Sequence, residues 1–311
     1  MAVDVEGLRR AWVRGVCLDP EKEVAANFLD ELERYSRLPR REVEDLFYRG
    51  TEVFAKEWDE QYKTDPNARV TFYDEALTHI FFVMHNSALR MDLSSPLLYV
   101  FAAEWAKRLK AARCLDYGAG TGSGAMFFAK AGIETTLADI SSRMLDFAKW
   151  RFAQRNLTAR FLDVKQAPLP CEAFDLITCF HVLQHVEDPI NLLRTLRNAL
   201  KPGGVLLVNG SLKKDPNRPM QPDHGGLKTR RRYRAVGFQT LWGPTQALHR
   251  LSRTSAVALQ KVERPAVINA AYGFYDTILT DPRLRRALYL AGTPVRRFLP
   301  SRNAHLEEVM S

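Results

Sequence analysis

From Glu21 to about Lys63 the apolar residues Phe28, Leu32 and Tyr35, then Val43, Leu46, Phe47, Phe54 and Trp58, recur at three- and four-residue intervals among charged ones, with Pro39 interrupting. Such spacing puts them on one helical face and predicts amphipathic helices broken at the proline. After a turn at Asp65, Pro66 and Asn67, a second helical stretch runs through Phe72, Leu77, Ile80, Phe81 and Met84, and Ser94, Ser95 and Pro96 mark the cap of a helix through Leu109. The first third therefore reads as helical. Past Arg113 the texture changes, because short aliphatic runs at 113–116, 134–139, 174–179 and 204–208 alternate with helical segments. That alternation predicts an α/β fold, a parallel sheet with helices on both faces.

Composition narrows the class. The chain has 311 residues, 46% hydrophobic and 26% charged, which fits a globular protein and excludes disordered and collagen-like classes. Four cysteines, Cys17, Cys114, Cys171 and Cys179, form no CxxC pair and read as reduced thiols, which predicts a cytoplasmic location. No apolar run is long enough for a membrane span, and Asp4 and Glu6 do not fit the order of a signal peptide. The formal charge of +9 is uneven: residues 213–311 hold 18 Lys+Arg against 7 Asp+Glu, whereas residues 1–212 hold 27 against 29. A basic end on a near-neutral body points either to one local anionic partner or to a solvated face. The segment 211–234, rich in Pro, Gly and basic residues, reads as a long loop entering a short helix.

Candidate chemistry begins at Cys114-Leu-Asp-Tyr-Gly-Ala-Gly-Thr-Gly122, which joins the first strand to a helix near Ser123. Gly118, Gly120 and Gly122 permit a tight turn and a close approach of backbone to ligand, whose polar groups meet free amides at the helix start. The spacing Gly-x-Gly-x-Gly departs from the dinucleotide form Gly-x-Gly-x-x-Gly. Asp139 ends the second strand, where an acid can accept both hydroxyls of a ribose, although a helix cap is an alternative role that Ser141 fills as well. Asp163 closes Ala159-Arg-Phe-Leu-Asp163, where its carboxylate and the following amides, Val164 first, could receive an adenine amino group.

Taken in order, these motifs resemble the class I S-adenosylmethionine-dependent methyltransferases, and within them the group that includes ubiquinone and menaquinone methyltransferases. The resemblance covers roughly residues 98–263. It rests on Leu115-Asp-Tyr-Gly-Ala-Gly-Thr-Gly122, on Ala138-Asp-Ile-Ser-Ser-Arg-Met-Leu145, and on Asp163 with Ala167-Pro-Leu-Pro170 and Phe174-Asp175. His181-Val-Leu-Gln-His-Val-Glu-Asp-Pro189, read as a helix start, and Leu200-Lys-Pro-Gly-Gly-Val-Leu-Leu-Val208 complete it. It implies a Rossmann-like seven-stranded sheet with an antiparallel last strand, for which 237–241 and 255–261 supply strands six and seven. Residues 1–97 would form a helical cap, 98–263 the methyltransferase core and 264–311 a basic helical extension. It also implies that S-adenosylmethionine, and its product S-adenosylhomocysteine, are bound by Asp116, Gly118, Ala119, Gly120 and Gly122 at the methionine part. Asp139 would take the ribose, Ile140 and Met144 the adenine face, and Asp163 and Val164 the adenine edge. His181 would lie beside the methyl group.

Methyl transfer from a sulfonium is an in-line displacement, so the protein aligns donor and acceptor and, for O or N acceptors, removes a proton. No metal is expected; His181, His185 and Asp188 lack a metal-binding motif and a clear further ligand. The candidate bases are His181, His185 one turn on, and His224 in the long loop. Packing roles compete for each. The aromatic residues Tyr48, Phe54, Trp58, Tyr62, Phe72, Tyr73, Phe81 and Phe82 predict a cap over the pocket, with some rings facing the acceptor and others in the core. The expected partner is a small, apolar or lipid-like acceptor. A non-catalytic S-adenosylmethionine-binding or protein-interaction module is the alternative. Arg230-Arg-Arg-Tyr-Arg234 raises a nucleic-acid methyltransferase, but no Asn-Pro-Pro-Tyr-like motif accompanies it. Aromatic and apolar groups beside Arg283, Arg285, Arg286, Arg296 and Arg297 suit a peripheral membrane contact, against core packing with solvated arginines. Oligomeric state and the atom methylated stay open.

Overall fold

The computed structural model describes residues 4–64, 68–90, 96–209, 221–222, 224, 229–241 and 256–272. The expected turn at 65–67, the cap at Ser94 and Ser95, the side chains of the 230–232 arginines and the basic segment beyond Tyr272 lie outside them. The chain divides after Arg264 into two compact units, Met1–Arg264 and Pro265–Ser311. Of the second unit, 265–272 are described, with 266–272 helical.

Among the described residues seven helices precede the sheet: α1 (Val5–Gly15), α2 (Val24–Ser36), α3 (Arg40–Tyr48), α4 (Gly50–Gln61), α5 (Ala68–Glu75), α6 (His79–Leu89) and α7 (Pro96–Arg108). The break predicted at Pro39 falls between α2 and α3, where the proline serves as N-cap residue of α3. Helix α1 is an addition to the sequence reading, anchored by the fully buried Trp12 and capped by Asp4, whose side chain accepts from the Gly7 amide.

Strands and helices then alternate: β1 (Arg113–Tyr117), α8 (Ser123–Lys130), β2 (Glu134–Asp139), α9 (Ser142–Ala153), β3 (Arg160–Asp163), β4 (Phe174–Cys179), α10 (Pro189–Ala199), β5 (Leu200–Val208), α11 (Thr229–Val236), β6 (Phe238–Leu241) and β7 (Val257–Lys261). The sheet order is β3-β2-β1-β4-β5-β7-β6. Strands β1 to β5 pair parallel, and β7 runs antiparallel to both β5 and β6. This is the Rossmann-like seven-stranded sheet that the motifs imply.

Side chains alternate across the pleat, so each strand feeds two cores. Cys114, Leu176, Val205, Leu207 and Ala258 meet Leu98, Tyr99, Ala102 and Ala106 of α7 on one face. Their neighbours Leu115, Ile177, Leu206, Val208 and Leu259 meet Leu192, Leu193 and Leu196 of α10 and Tyr233 and Val236 of α11 on the other. A third cluster joins Leu137 of β2 to α8, α9 and helices α1, α2, α3 and α6. Because parallel strands all end on one side, the loops after β1, β2, β3 and β4 converge there, which is where ligands bind in such sheets. The helix after β4 starts later than the motif suggested. Residues 181–188 stay irregular, and α10 begins at Pro189, which fits a first helical position, while Asp188 caps it by accepting from the Ile190 and Asn191 amides at 3.0 and 2.9 Å.

Candidate functional site

A cavity of about 900 Å³ opens at these strand ends. One wall is the loop 118–121 with Asp139, Ile140 and Val164; the opposite wall comes from the helical region, including Trp12, Tyr73, His79 and Val83. Gly118 and Gly120 have φ of +71° and +52°, conformations that cost most side chains energy. A Cβ on Gly118 would also lie 2.2 Å from Val182 Cγ2, whereas one on Gly120 would meet only Val83 at 3.9 Å. The backbone at Gly120 is thus bare toward the cavity.

Asp139 accepts from the Gly120 amide through Oδ2 at 2.8 Å and from the Ser141 amide through Oδ1 at 2.9 Å. Burial raises its pKa, opposed by the Ser141, Gly120 and Ile140 amides. Each carboxylate oxygen has a second lone pair, so two more donors can be taken on the cavity wall. Ser141 performs the capping role, its Oγ accepting from the Met144 amide at 3.2 Å.

The other expected cofactor residues divide. Gly118, Ala119, Gly120, Asp139, Ile140, Val164 and His181 line the described wall; Asp116, Gly122, Met144 and Asp163 do not. Asp116 is fully buried beneath the loop, where Tyr99 Oη and Thr178 Oγ1 both donate to its Oδ1, at 2.9 and 2.7 Å. Burial pushes its pKa up to about 6 against these bonds. Its Oδ2 is buried without a hydrogen bond of regular geometry, although the Ala125 amide favours the charged form. Met144 is fully buried in the core with Leu137 and Phe147. Asp163 is turned to its own neighbours, accepting from the Lys165 amide at 2.9 Å and Gln166 Nε2 at 3.0 Å and pairing with Lys165 Nζ at 3.2 Å.

His181 lines the cavity with φ of +57°, a left-handed conformation in a residue other than glycine. Asn209, at the end of β5 and 1% exposed, holds it twice: Oδ1 accepts from the His181 amide at 2.7 Å, and Nδ2 lies 3.1 Å from His181 Nε2. A backbone amide only donates, so the first bond fixes the Asn209 side chain with its NH₂ toward the ring. His181 Nε2 must then accept, which places the proton of the neutral imidazole on Nδ1. His185 sits in the same irregular loop, with Nδ1 2.5 Å from Tyr73 Oη. Beside it, Arg69 pairs with Glu187 at 2.7 Å. Asp74 accepts from the Ser142 amide at 2.7 Å and pairs with Lys165 at 2.9 Å. Helix α5 is thereby fastened to the loops after β2, β3 and β4. His79, lining the cavity at the start of α6, has its pKa pushed down to about 4 by burial.

His224 is half-buried, does not line the described cavity wall, and has Nε2 buried without a hydrogen-bond partner. Of the eight aromatics singled out in the N-terminal third, Tyr73 lines the cavity; Phe54, Trp58 and Phe72 pack with it in a separate cluster, Phe81 is core and Tyr48 is exposed. Trp12, Asn209 and Phe180 were missed by the sequence reading. Asn209 had a weak signal, a polar residue directly after a buried run. Among the described residues no group of three or more His, Cys, Asp or Glu is placed to hold a metal ion, and no helix is long and apolar enough to cross a membrane.

Residues 115–206 match the family model described as Methyltransferase domain. The ubiquinone biosynthesis O-methyltransferase of Haemophilus ducreyi is 29% identical over 149 residues, 45% of this chain and 63% of that protein. The protein of the same description in Actinobacillus pleuropneumoniae serotype 7 is 34% identical over 133 residues, 40% of this chain and 57% of that one. These matches span less than two thirds of each relative's own length. Among solved structures, an S-adenosylmethionine-dependent methyltransferase from Clostridium acetobutylicum is 24% identical at a TM-score of 0.37, covering 42% of this chain and 55% of that one. The family match falls on the strands and loops that form the glycine-loop side of the cavity. Over residues 115–206 the chain matches the methyltransferase-domain family, and over 40–45% of its length it is similar to O-methyltransferases.

Proposed function

We propose that the protein transfers the methyl group of S-adenosylmethionine to oxygen on a small, largely apolar acceptor. One observation carries this reading: the bare glycine loop and Asp139 share a single cavity with an aromatic and aliphatic wall from the helical region. At about 900 Å³ that cavity lies near the top of the usual range for small-molecule sites, ~300–1,000 Å³, which leaves room for an acceptor beside a cofactor. The residues present fit the cofactor: Asp139 has lone pairs for two ribose hydroxyls, Ile140 and Val164 offer flat apolar contact for adenine, and Gly120 lets the backbone approach the methionine part. When bound, S-adenosylmethionine supplies an electrophilic methyl group on a sulfonium. What the chain adds is alignment: α5 and the loop 181–188 enclose the acceptor space, and a desolvated, prepaid geometry supplies much of the rate. Similarity to O-methyltransferases favours oxygen as the atom methylated. Titration calorimetry with S-adenosylhomocysteine tests the reading. The wild-type protein binds it, and Asp139→Ala weakens binding about a hundredfold, because two bonds to a charged acceptor are worth roughly 1.5–3 kcal/mol each at most. Unchanged affinity in that variant overturns the assignment.

A further inference from the structure

We infer that helix α5 is a strap across the cavity, closed by the ion pairs Asp74–Lys165 and Arg69–Glu187, and that the cofactor enters and leaves when these pairs open. The inference rests on the methyltransferase reading above and adds to it how exchange at that site is controlled.

Helix α5 is eight residues long, and of these Ala68, Phe72 and Tyr73 are buried. Phe72 and Tyr73 join Phe54 and Trp58 of α4 in one apolar cluster. The rest of its hold on the protein is polar. Near its C-terminal end the Asp74 carboxylate accepts from the Ser142 amide at 2.7 Å and pairs with Lys165 at 2.9 Å, while the Asp74 carbonyl accepts from Ser141 Oγ at 3.3 Å. Lys165 donates in turn to the Ile140 carbonyl and to Ser142 Oγ, the latter at 3.2 Å. Toward the other end Arg69 pairs with Glu187 at 2.7 Å, and between the two pairs Tyr73 Oη lies 2.5 Å from His185 Nδ1. The helix is thus tied to the loops after β2 and β3 on one side and to the loop after β4 on the other.

Arg69, Val70 and Tyr73 line the cavity together with Ile140, Val164, His185 and Glu187. Ile140 and Val164 are the residues that offer flat contact to adenine, and Lys165 holds the Ile140 carbonyl and follows Val164 directly. The Asp74–Lys165 pair therefore closes over the adenine end. Every bond of the strap runs from protein to protein, so it forms whether the cavity is filled or not. Such an element raises the barrier to entry and to exit alike, and cutting it speeds both while affinity holds, because a ligand favours one state only through differential contacts with it.

Both pairs reach water: Asp74 and Lys165 are 21% and 29% exposed at their side chains, and Glu187 is 69% exposed. Pairs of this kind are weak and are screened by salt. Burial would push the Asp74 carboxyl up, but the Ser142 amide and Lys165 outweigh it and hold it below its ordinary range. The strap is therefore charged at neutral pH and light enough to open. Arg69, Tyr73 and His185 have further interactions of their own, so Asp74 and Glu187 are the ends at which to cut it.

The test loads the full chain with radiolabelled S-adenosylhomocysteine, chases with excess unlabelled compound, and follows release by rapid filtration, with Kd taken from calorimetry. From about 0.05 to 0.5 M NaCl the wild-type release rate should rise about fivefold, with Kd changing less than about twofold. At low salt Asp74→Asn, which can still accept from the Ser142 amide, and Glu187→Gln should each speed release about twofold or more, and the double variant should multiply the two effects and respond less to salt. Asp74→Glu, which keeps the charge, should release as slowly as the wild type. Should Asp74→Asn not fold, Glu187→Gln and the salt series decide on the same criteria. Release that neither variant speeds, or that salt leaves unchanged in the wild type, overturns the inference. So does faster release matched by an equal loss of affinity, which makes the pairs a fixed part of the binding wall. Failure of the wild type itself to bind S-adenosylhomocysteine overturns the methyltransferase reading instead.

Discussion

Replacing Glu31 by Gln should destabilise the protein more than any substitution on its surface. Glu31, on α2, is 3% exposed and Arg151, on α9, is fully buried. Arg151 Nε donates to Glu31 Oε2 at 2.7 Å, and Arg155 Nη2 donates to Oε1. Arg151 also donates through Nη1 to the Thr121 carbonyl at 2.8 Å and to Ser123 Oγ at 2.7 Å, which are the end of the glycine loop and the start of α8. Its guanidinium lies against the rings of Phe28 and Phe147 at 5.6 and 5.7 Å. Burial pushes the Glu31 carboxyl up, but Arg151 and Arg155 outweigh it and hold the pKa below 4.5. Removing one partner of such a buried pair typically costs 3–5 kcal/mol, because the other charge stays uncompensated. With a urea m-value near 3 kcal/mol/M, that lowers the unfolding midpoint by roughly 1 M or more. The double variant Glu31→Met with Arg151→Met should recover much of the loss, since an apolar pair avoids the desolvation of two ions. Since the folded-state pKa of Glu31 is depressed, its contribution is present at neutral pH and lost as pH falls below its ordinary range. A loss under about 1 kcal/mol in Glu31→Gln, or a double variant no better than the single one, would refute this account.

Two further outcomes follow from the site. Asp116 has a folded-state pKa near 6, above its ordinary 3.8, so it favours folding most at low pH, and stability drops as pH rises between those values. The drop is about 3 kcal/mol at 1.36 kcal/mol per unit, and urea midpoints from pH 4 to 7 should show it shrinking in Asp116→Asn. Asn209→Ala removes the two bonds that hold His181 at φ of +57°, which should cost about 1–3 kcal/mol and weaken S-adenosylhomocysteine binding in calorimetry.

Legibility in the sequence followed the range of the interactions. The runs at 113–116, 134–139 and 174–179 became β1, β2 and β4, each with a short apolar centre (Cys114-Leu115, Leu137-Ala138, Leu176-Ile177) buried in the sheet, which is a local property. Even the loosely patterned 237–241 and 255–261 became β6 and β7. The glycine loop was equally visible, since a left-handed turn demands glycine at fixed positions. By contrast, the start of α10 was placed too early, because His181 to Glu187 have helix-compatible side chains while the cap lies at Asp188. Arg151, between Trp150 and Phe152, carries no local sign of burial; its partners Glu31, Thr121 and Ser123 lie 120, 30 and 28 residues away. Similarly, Asp163 sits where a cofactor acid is expected, yet Lys165 and Gln166 claim its oxygens.

Helix α5 explains why Tyr73 was the hardest residue to place. A helix with one buried stripe shows a clean three- and four-residue repeat, but α5 packs on two sides. Phe72 points into the cluster with Phe54 and Trp58, Tyr73 and Arg69 face the loop after β4, and Asp74 reaches the loop after β2. Consecutive residues therefore have different partners, and the repeat is blurred. Core packing alone would not require that blurring, since a single stripe buries a helix well enough. The neighbouring positions of α5 thus serve a core, a cavity wall and a loop at once. On the proposed methyltransferase reading, substitutions at Arg69, Tyr73 and Asp74, rather than at Phe72, are therefore the ones expected to change acceptor choice while leaving the sheet intact.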